Sequence, residues 1–342
     1  QAADGSNVFY PVLRQNARGV WAFWSAAAVC AMIQKVRSRQ GLRPSRGRPR
    51  GSHSKGGITL RKVGFIGVGI MGKSMVRNLM KAGFELRIFA RDRAKVADVI
   101  AEGAAFSSTI AECVKGCSEV ITMVGFPKDV EEVYFGAGNV LDSAERGACL
   151  IDMTTSSPTL AERLYAEGTK RGFRVMDAPV TGGETGARDG TLSILAGGDR
   201  ADYEACMPLF RAMGANVNYQ GKAGCGQHAK LTNQIMIAGT LSGVCEAIAY
   251  ARAKELDLEV LMKSLSTGAA ASKQLDACWP KITDNDFQPS FFLKDLTLAS
   301  EEAAQSHLHL EVLAQVTEDY GELARDGFGD MGTQALIKHY ER

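Results

Sequence analysis

Three glycines, Gly67, Gly69 and Gly72, stand between a short apolar segment, Val63 to Ile66, and a segment of helical period, Met71 to Ala82, that Gly83 stops. Few architectures accept that order. Gly67 permits a tight turn straight after a strand, Gly69 lets a ligand approach the backbone, and Gly72 lets the following helix pack close on the strand. The first turn of such a helix also presents N–H groups and the positive end of its dipole. The loop of Gly67, Val68, Gly69, Ile70, Met71 and Gly72 is therefore expected to hold a pyrophosphate.

The segments that follow keep the same alternation. Leu86 to Phe89 reads as a second strand, with helical stretches near 93–101 and 109–115. Val120 to Val124 is a strand, followed by a helix from Pro127, a strand at Cys149 to Ile151, a helix from Pro158 and a strand at Phe173 to Met176. Strand and helix at this spacing predict a parallel sheet covered on both faces. After Gln220 the strand signals vanish, and Gly226 to Leu256 is a long helical stretch rich in Ala and Leu. The predicted fold is α/β: an N-terminal Rossmann-type doubly wound sheet domain over 58–221, then an all-α C-terminal domain over 222–342. That division suits a chain of 342 residues, and its 45% hydrophobic content excludes a disordered chain. No continuous apolar run approaches the roughly 20 residues of a membrane span.

Residues 1–57 are different. They hold eight Arg and two Lys against one acid, Asp4, and are dense in Pro, Gly and Ser from Arg37 onward. This stretch is expected to be a disordered basic extension. Its Arg- and Ser-rich composition reads as an organelle transit segment, or, since the chain begins with Gln1, as an artefact of the reading frame. The body is expected to be cytoplasmic, or mitochondrial or plastid if the extension is a transit segment. The body carries a slight acidic excess, so no nucleic-acid partner is expected for it. The eight cysteines lack C-x-x-C spacing and the five histidines lack a zinc pattern, so free thiols and no metal are expected.

Beyond the second strand the chain reads Ala90-Arg91-Asp-Arg93-Ala-Lys95. A site that prefers NAD places an acid about 20 residues past the loop, against the ribose 2′-hydroxyl. Ala90 stands there instead, and Arg91 with Arg93 or Lys95 is placed to meet a 2′-phosphate. NADP(H) is favoured; Asp92, in a shifted register, is the argument for NAD(H).

The body from about Arg61 onward resembles the 3-hydroxyisobutyrate dehydrogenase family, the short β-hydroxyacid dehydrogenases related to 6-phosphogluconate dehydrogenase. The resemblance rests on four ordered motifs: Phe65 to Gly83, Asp177 to Thr191, Gly224-Cys-Gly-Gln-His-Ala-Lys-Leu-Thr-Asn233, and Phe291-Phe-Leu-Lys-Asp-Leu296. Thr181 stands where many members have Ser, adding a methyl group to the pocket, and Val68 and Val76 replace the commoner Leu and Ala. The resemblance implies that Lys230 is the general acid/base, a role that burial in a cleft would suit. Asn233, on the same helical face, would hold the substrate hydroxyl or the ammonium. Thr181, Gly182 and Gly183 fit a carboxylate clamp, since consecutive backbone N–H groups line an anion-binding concavity. By resemblance Thr155 lies by the nicotinamide, Met123, Val124, Phe126 and Pro127 line the cofactor cleft, Lys294 and Asp295 close the site, and Phe287 walls the pocket.

These residues imply an NADP(H)-dependent oxidoreductase that interconverts a short β-hydroxy acid, 3-hydroxyisobutyrate-like, and its semialdehyde. The alternative is a glyoxylate or succinic semialdehyde reductase, which the same clamp and lysine would serve. A more remote one is a non-catalytic binding module, against which Lys230 argues, as it does against the imine reductases. Family analogy implies a homodimer or homotetramer.

Overall fold

In the computed structural model the described residues are 61–287 and 292–341. The predictions for residues 1–57, and the role of Phe291 in the late motif, lie outside them. The strands are β1 (Lys62–Ile66), β2 (Glu85–Phe89), β3 (Ala105–Phe106), β4 (Glu119–Thr122), β5 (Cys149–Asp152), β6 (Arg174–Asp177), β7 (Val180–Thr181), β8 (Leu192–Gly198) and β9 (Gly214–Gly221). Helices of seven residues or more are α1 (Ile70–Lys81), α2 (Pro127–Phe135), α3 (Pro158–Lys170), α4 (Gly183–Asp189), α5 (Arg200–Met213) and α6 (Cys225–Ala253), then α7 (Leu258–Leu265), α8 (Lys273–Thr283), α9 (Phe292–Gln305) and α10 (Glu311–Leu323).

The sheet runs β3-β2-β1-β4-β5-β6-β8-β7, with β9 on the far side of β8. The first five pairings are parallel, as the alternation of strands and helices requires. The order reverses between β1 and β4, which opens a crevice at their carboxyl ends. Both faces are covered, so the central strands are apolar throughout. Val63, Phe65, Ile121 and Ile151 pack toward α1 and α5, while Ile66, Val120 and Leu150 pack toward α2 and α3.

The sheet departs from an all-parallel arrangement at its second half. β6 and β7 both pair antiparallel with β8, in one shared register from Met176↔Gly198 to Thr181↔Ser193. They form one line broken at Ala178-Pro179, and the break is bridged by the Leu195 N–H donating to the Pro179 carbonyl (2.9 Å). Helix α4 follows at once and lies against α1, where the Asn78 amide donates to the Ala187 carbonyl (2.7 Å).

Helix α6 begins four residues after the sheet ends and supports a second core with α8, α9 and α10, built on residues such as Leu241, Trp279, Leu296 and Val316. At 29 residues, with a stretch of mean hydropathy 1.2, it is long and apolar enough by composition to cross a bilayer. Its buried face carries Gln227, Lys230 and Gln234, and it packs on β8 and β9 and on α8, α9 and α10.

The start of α6 presses so closely on the sheet that a Cβ at Gly226 would meet the carbonyl oxygens of Leu195 and Asp177. Gly226→Ala should therefore destabilise the fold by about 1–3 kcal/mol. Gly243 lies on the same helix with open space around it. Gly243→Ala should raise stability by about 0.5–1 kcal/mol through helix propensity alone. Urea denaturation midpoints of the two variants check both signs; equal effects would mean that the close approach at Gly226 carries no strain.

Candidate active site

The glycine loop joins β1 to α1 at the crevice. Gly67 has a positive φ of 95°, its N–H donates to the Phe89 carbonyl (3.1 Å), and a Cβ there would run into the Met123 carbonyl oxygen. Gly69 caps α1, and a Cβ there would meet nothing within 4 Å. Gly72 packs against the Gly67 carbonyl, Val68 is buried, Met71 is half-buried and Ile70 is exposed. The loop thus has one wall closed by backbone and one side open above the first turn of a helix, which is the shape a pyrophosphate needs.

Past β2 the side chains divide. Ala90 packs against the core, while Arg91 is 84% exposed with its guanidinium 3.6 Å from the Asp129 carboxylate. Asp92 accepts the Ala94 N–H (2.9 Å), and Arg93 stacks on the Phe106 ring. Asp92 is therefore engaged in its own turn; Arg91, Arg93 and Lys95 are all exposed, and Arg91 is nearest the end of β2. Across the crevice, Met123 donates its N–H to the Ile66 carbonyl (2.9 Å) and Val124 donates to the Thr154 hydroxyl (3.0 Å). Asp129 accepts the Phe126 N–H (3.0 Å) where Pro127 opens α2. The structure brings these residues together along the carboxyl ends of β1 and β4.

Asp177 at the end of β6 holds the next element. Its carboxylate accepts the N–H groups of Gly224 (2.9 Å) and Gln227 (2.8 Å), the free donors at the start of α6. Gln227 reaches back with both ends of its amide, accepting the Ser156 N–H (2.9 Å) and donating to the Thr154 carbonyl (2.8 Å). One turn further along α6, Lys230 is buried, and its Nζ donates to Gln234 Oε1 (3.0 Å). The same oxygen accepts the Asn233 amide (2.8 Å), and Gln234 Nε2 donates to Asp295 (2.6 Å). The other oxygen of Asp295 lies 3.1 Å from Lys294, whose Nζ donates to the Thr155 carbonyl (2.7 Å). The chain of contacts runs from α6 through α9 to the end of β5.

Burial lowers the Lys230 ammonium below its ordinary value; the Asp295 charge opposes the shift and the Lys294 charge adds to it. Burial raises the carboxyls of Asp152 and Asp177 to about 6, against the hydrogen bonds each accepts.

The clamp lies where β7 meets α4. Gly182 and Gly183 have positive φ values of 127° and 62°, and Thr181 is half-buried beside them. Phe287 packs on the helical core, with the Lys338 ammonium 4.6 Å from its ring centroid. None of its described contacts is to the Lys230 group. His228, a conceivable substitute for the lysine, is exposed. Sequence reasoning missed Asp152, Asp177, Gln227 and Gln234. The available signal was the spacing of Gln227, Lys230 and Gln234, three polar residues one turn apart on an apolar helix.

Two family models match the chain: the NAD binding domain of 6-phosphogluconate dehydrogenase over residues 62–221, and NAD-binding of NADP-dependent 3-hydroxyisobutyrate dehydrogenase over 224–340. An uncharacterized oxidoreductase of Bacillus subtilis, YkwC, is 42% identical over 282 residues, covering 81% of this chain and 98% of that protein. A probable mitochondrial 3-hydroxyisobutyrate dehydrogenase-like protein of Arabidopsis thaliana is 40% identical, covering 82% and 85%. Among solved structures, Mycobacterium tuberculosis 3-hydroxyisobutyrate dehydrogenase with L-serine superposes with a TM-score of 0.76 at 28% identity, covering 83% of this chain and 100% of that one.

The buried Asp152 gives a test of the site's electrostatics. With its folded pKa near 6 against 3.8 unfolded, its contribution to stability is present below about pH 4 and lost as pH rises through 6. Asp152→Asn keeps an acceptor for Thr122 and Thr154 but does not titrate. Its stability relative to the parent should therefore grow between about pH 4 and about pH 8, by up to roughly 3 kcal/mol. Urea melts across that range check it; a difference that shrinks with pH would reverse the assignment.

Proposed function

The chain belongs to the 3-hydroxyisobutyrate dehydrogenase family, and on that premise we propose that it interconverts a short β-hydroxy acid and its semialdehyde with Lys230 as general acid/base and NADP(H) as the preferred cofactor. The observation that carries this reading is the buried Lys230, whose one described acceptor is a neutral amide, beside the carboxyl ends of the strands. The residues present fit a dinucleotide. The glycine loop and the first turn of α1 would take the pyrophosphate, and Arg91 a 2′-phosphate. Met123, Val124, Phe126, Pro127 and Thr155 would line the nicotinamide side. When bound, the nicotinamide supplies or accepts the hydride, which no side chain here does.

The protein's own part is binding and proton transfer. Backbone N–H groups of Gly182 and Gly183, with the Thr181 hydroxyl, hold the substrate carboxylate. In the reducing direction the Lys230 ammonium gives its proton to the oxygen that becomes the hydroxyl; in the oxidising direction the neutral amine takes it back. A proton donor of lowered pKa serves both directions near neutrality. Asn233, half-buried beside Lys230, orients the reacting oxygen. Lys294 and Asp295 tie α9 to the Thr155 carbonyl and so close the site from the helical side.

That L-serine is itself a β-hydroxy acid supports the substrate class. The extra methyl of Thr181, compared with Ser, favours the smaller aldehyde glyoxylate as the second reading. A panel of short hydroxy acids and semialdehydes, glyoxylate included, assayed with both cofactors decides between them by kcat/KM.

Lys230→Ala should reduce turnover roughly 10²–10⁴-fold, the usual range for a general acid/base, with cofactor affinity little changed. Lys230→Arg should fail too, because a guanidinium does not cycle a proton near neutral pH. Near-normal turnover in Lys230→Ala would move the acid elsewhere. For the cofactor, Arg91→Ala should raise KM for NADPH far more than KM for NADH; equal changes would remove the assignment of Arg91.

A further inference from the structure

Two lysines and one carboxylate share the inside of the site: Lys230 on α6, with Lys294 and Asp295 on α9. Their neighbours differ. Lys294 has the Asp295 carboxylate at 3.1 Å and the Thr155 carbonyl at 2.7 Å. Lys230 has Gln234 Oε1 at 3.0 Å. Gln234 stands between Lys230 and Asp295, and its amide can point only one way. Its Nε2 must face the carboxylate, 2.6 Å away, so its oxygen faces the two donors, Lys230 and Asn233.

We propose that Gln234 is a positioning residue that keeps Lys230 out of an ion pair with Asp295 and thereby selects Lys230, not Lys294, as the lysine that gives up its proton. The inference rests on the reading of Lys230 as the acid/base. With both lysines protonated the buried group carries one excess positive charge, which low dielectric disfavours. Only one proton need leave. Lys294 lies against the Asp295 carboxylate, whereas Lys230 has an amide dipole in place of a counter-ion. The lowered value of Lys230, driven by burial and by the Lys294 charge against that of Asp295, agrees with this arrangement. The buried carboxylates at the ends of β5 and β6 are already engaged, Asp152 by Thr122 and Thr154, and Asp177 by the backbone of Gly224 and Gln227. His228, on the same helix, is exposed.

The test is the pH profile of kcat/KM for aldehyde reduction, which falls as the acid loses its proton. Gln234→Glu places a carboxylate against Lys230 and should move that limb to higher pH by about one unit or more. Gln234→Met keeps the length, removes the acceptor for the ammonium, and should move the limb to lower pH. Thermal melts show which variants fold, and either folded variant suffices against the parent. A limb that stays at the parental pH while turnover falls throughout would overturn the proposal and leave Gln234 a packing residue. Lys230→Ala, run beside them, separates this from failure of the underlying reading: near-normal turnover there sinks the acid/base assignment itself.

Discussion

The carboxylate of Asp177 holds two parts of the protein in register. It ends β6, accepts the two N–H groups at the start of α6, and so fixes where a 29-residue helix leaves the sheet. A negative charge at the positive end of a helix dipole is favourable, and two charge-assisted hydrogen bonds offset part of the cost of burying it. Gln227 then stitches the same helix to the loop after β5. Everything on the first turns of α6, Lys230 included, inherits its position from those four hydrogen bonds. Gly226 is the steric condition of the arrangement, since any side chain there would push the helix off the sheet.

The site is thus assembled from ends of elements and not from one loop. The crevice between β1 and β4 supplies glycine backbone, β5 and β6 supply carbonyls and carboxylates, and α6 and α9 supply the lysines. Because each contribution comes from a rigid element, the geometry of the polar chain from Lys230 to Thr155 is set by packing in the helical core. Lys294 reaches the sheet only because α9 is seated on α6 by residues such as Leu241 and Leu296.

Much of this was legible before the fold was known, and the reason differs by element. β1, β4, β5 and β6 are buried on both faces, so they read as short apolar runs that glycines and charges punctuate, while β2 alternates, with Leu86 and Ile88 buried. β9 is an edge strand with half of its residues exposed, and its Asn216, Asn218 and Gln220 give no continuous apolar run to follow. β8 does alternate, with Leu192, Ile194 and Ala196 buried, but its antiparallel pairing with β6 and β7 depends on the chain's return through α4, which no local pattern reveals. The glycine loop was readable because its chemistry is local. Lys230 was reached through motif resemblance, whereas Gln234 was not singled out at all, because its partner Asp295 lies 61 residues away and no helical period reveals it.

The shared register of β6 and β7 along β8 has a consequence for how this protein can change over generations. Side chains alternate faces with a period of two, so one residue added or lost at Ala178-Pro179 would turn Thr181 and the glycines after it to the opposite face of the sheet. The segment proposed to bind the substrate's anionic end can therefore be edited letter by letter but not lengthened by a single step. New specificities in this lineage must arise there by exchange of side chains, while insertions are confined to stretches that no ladder counts.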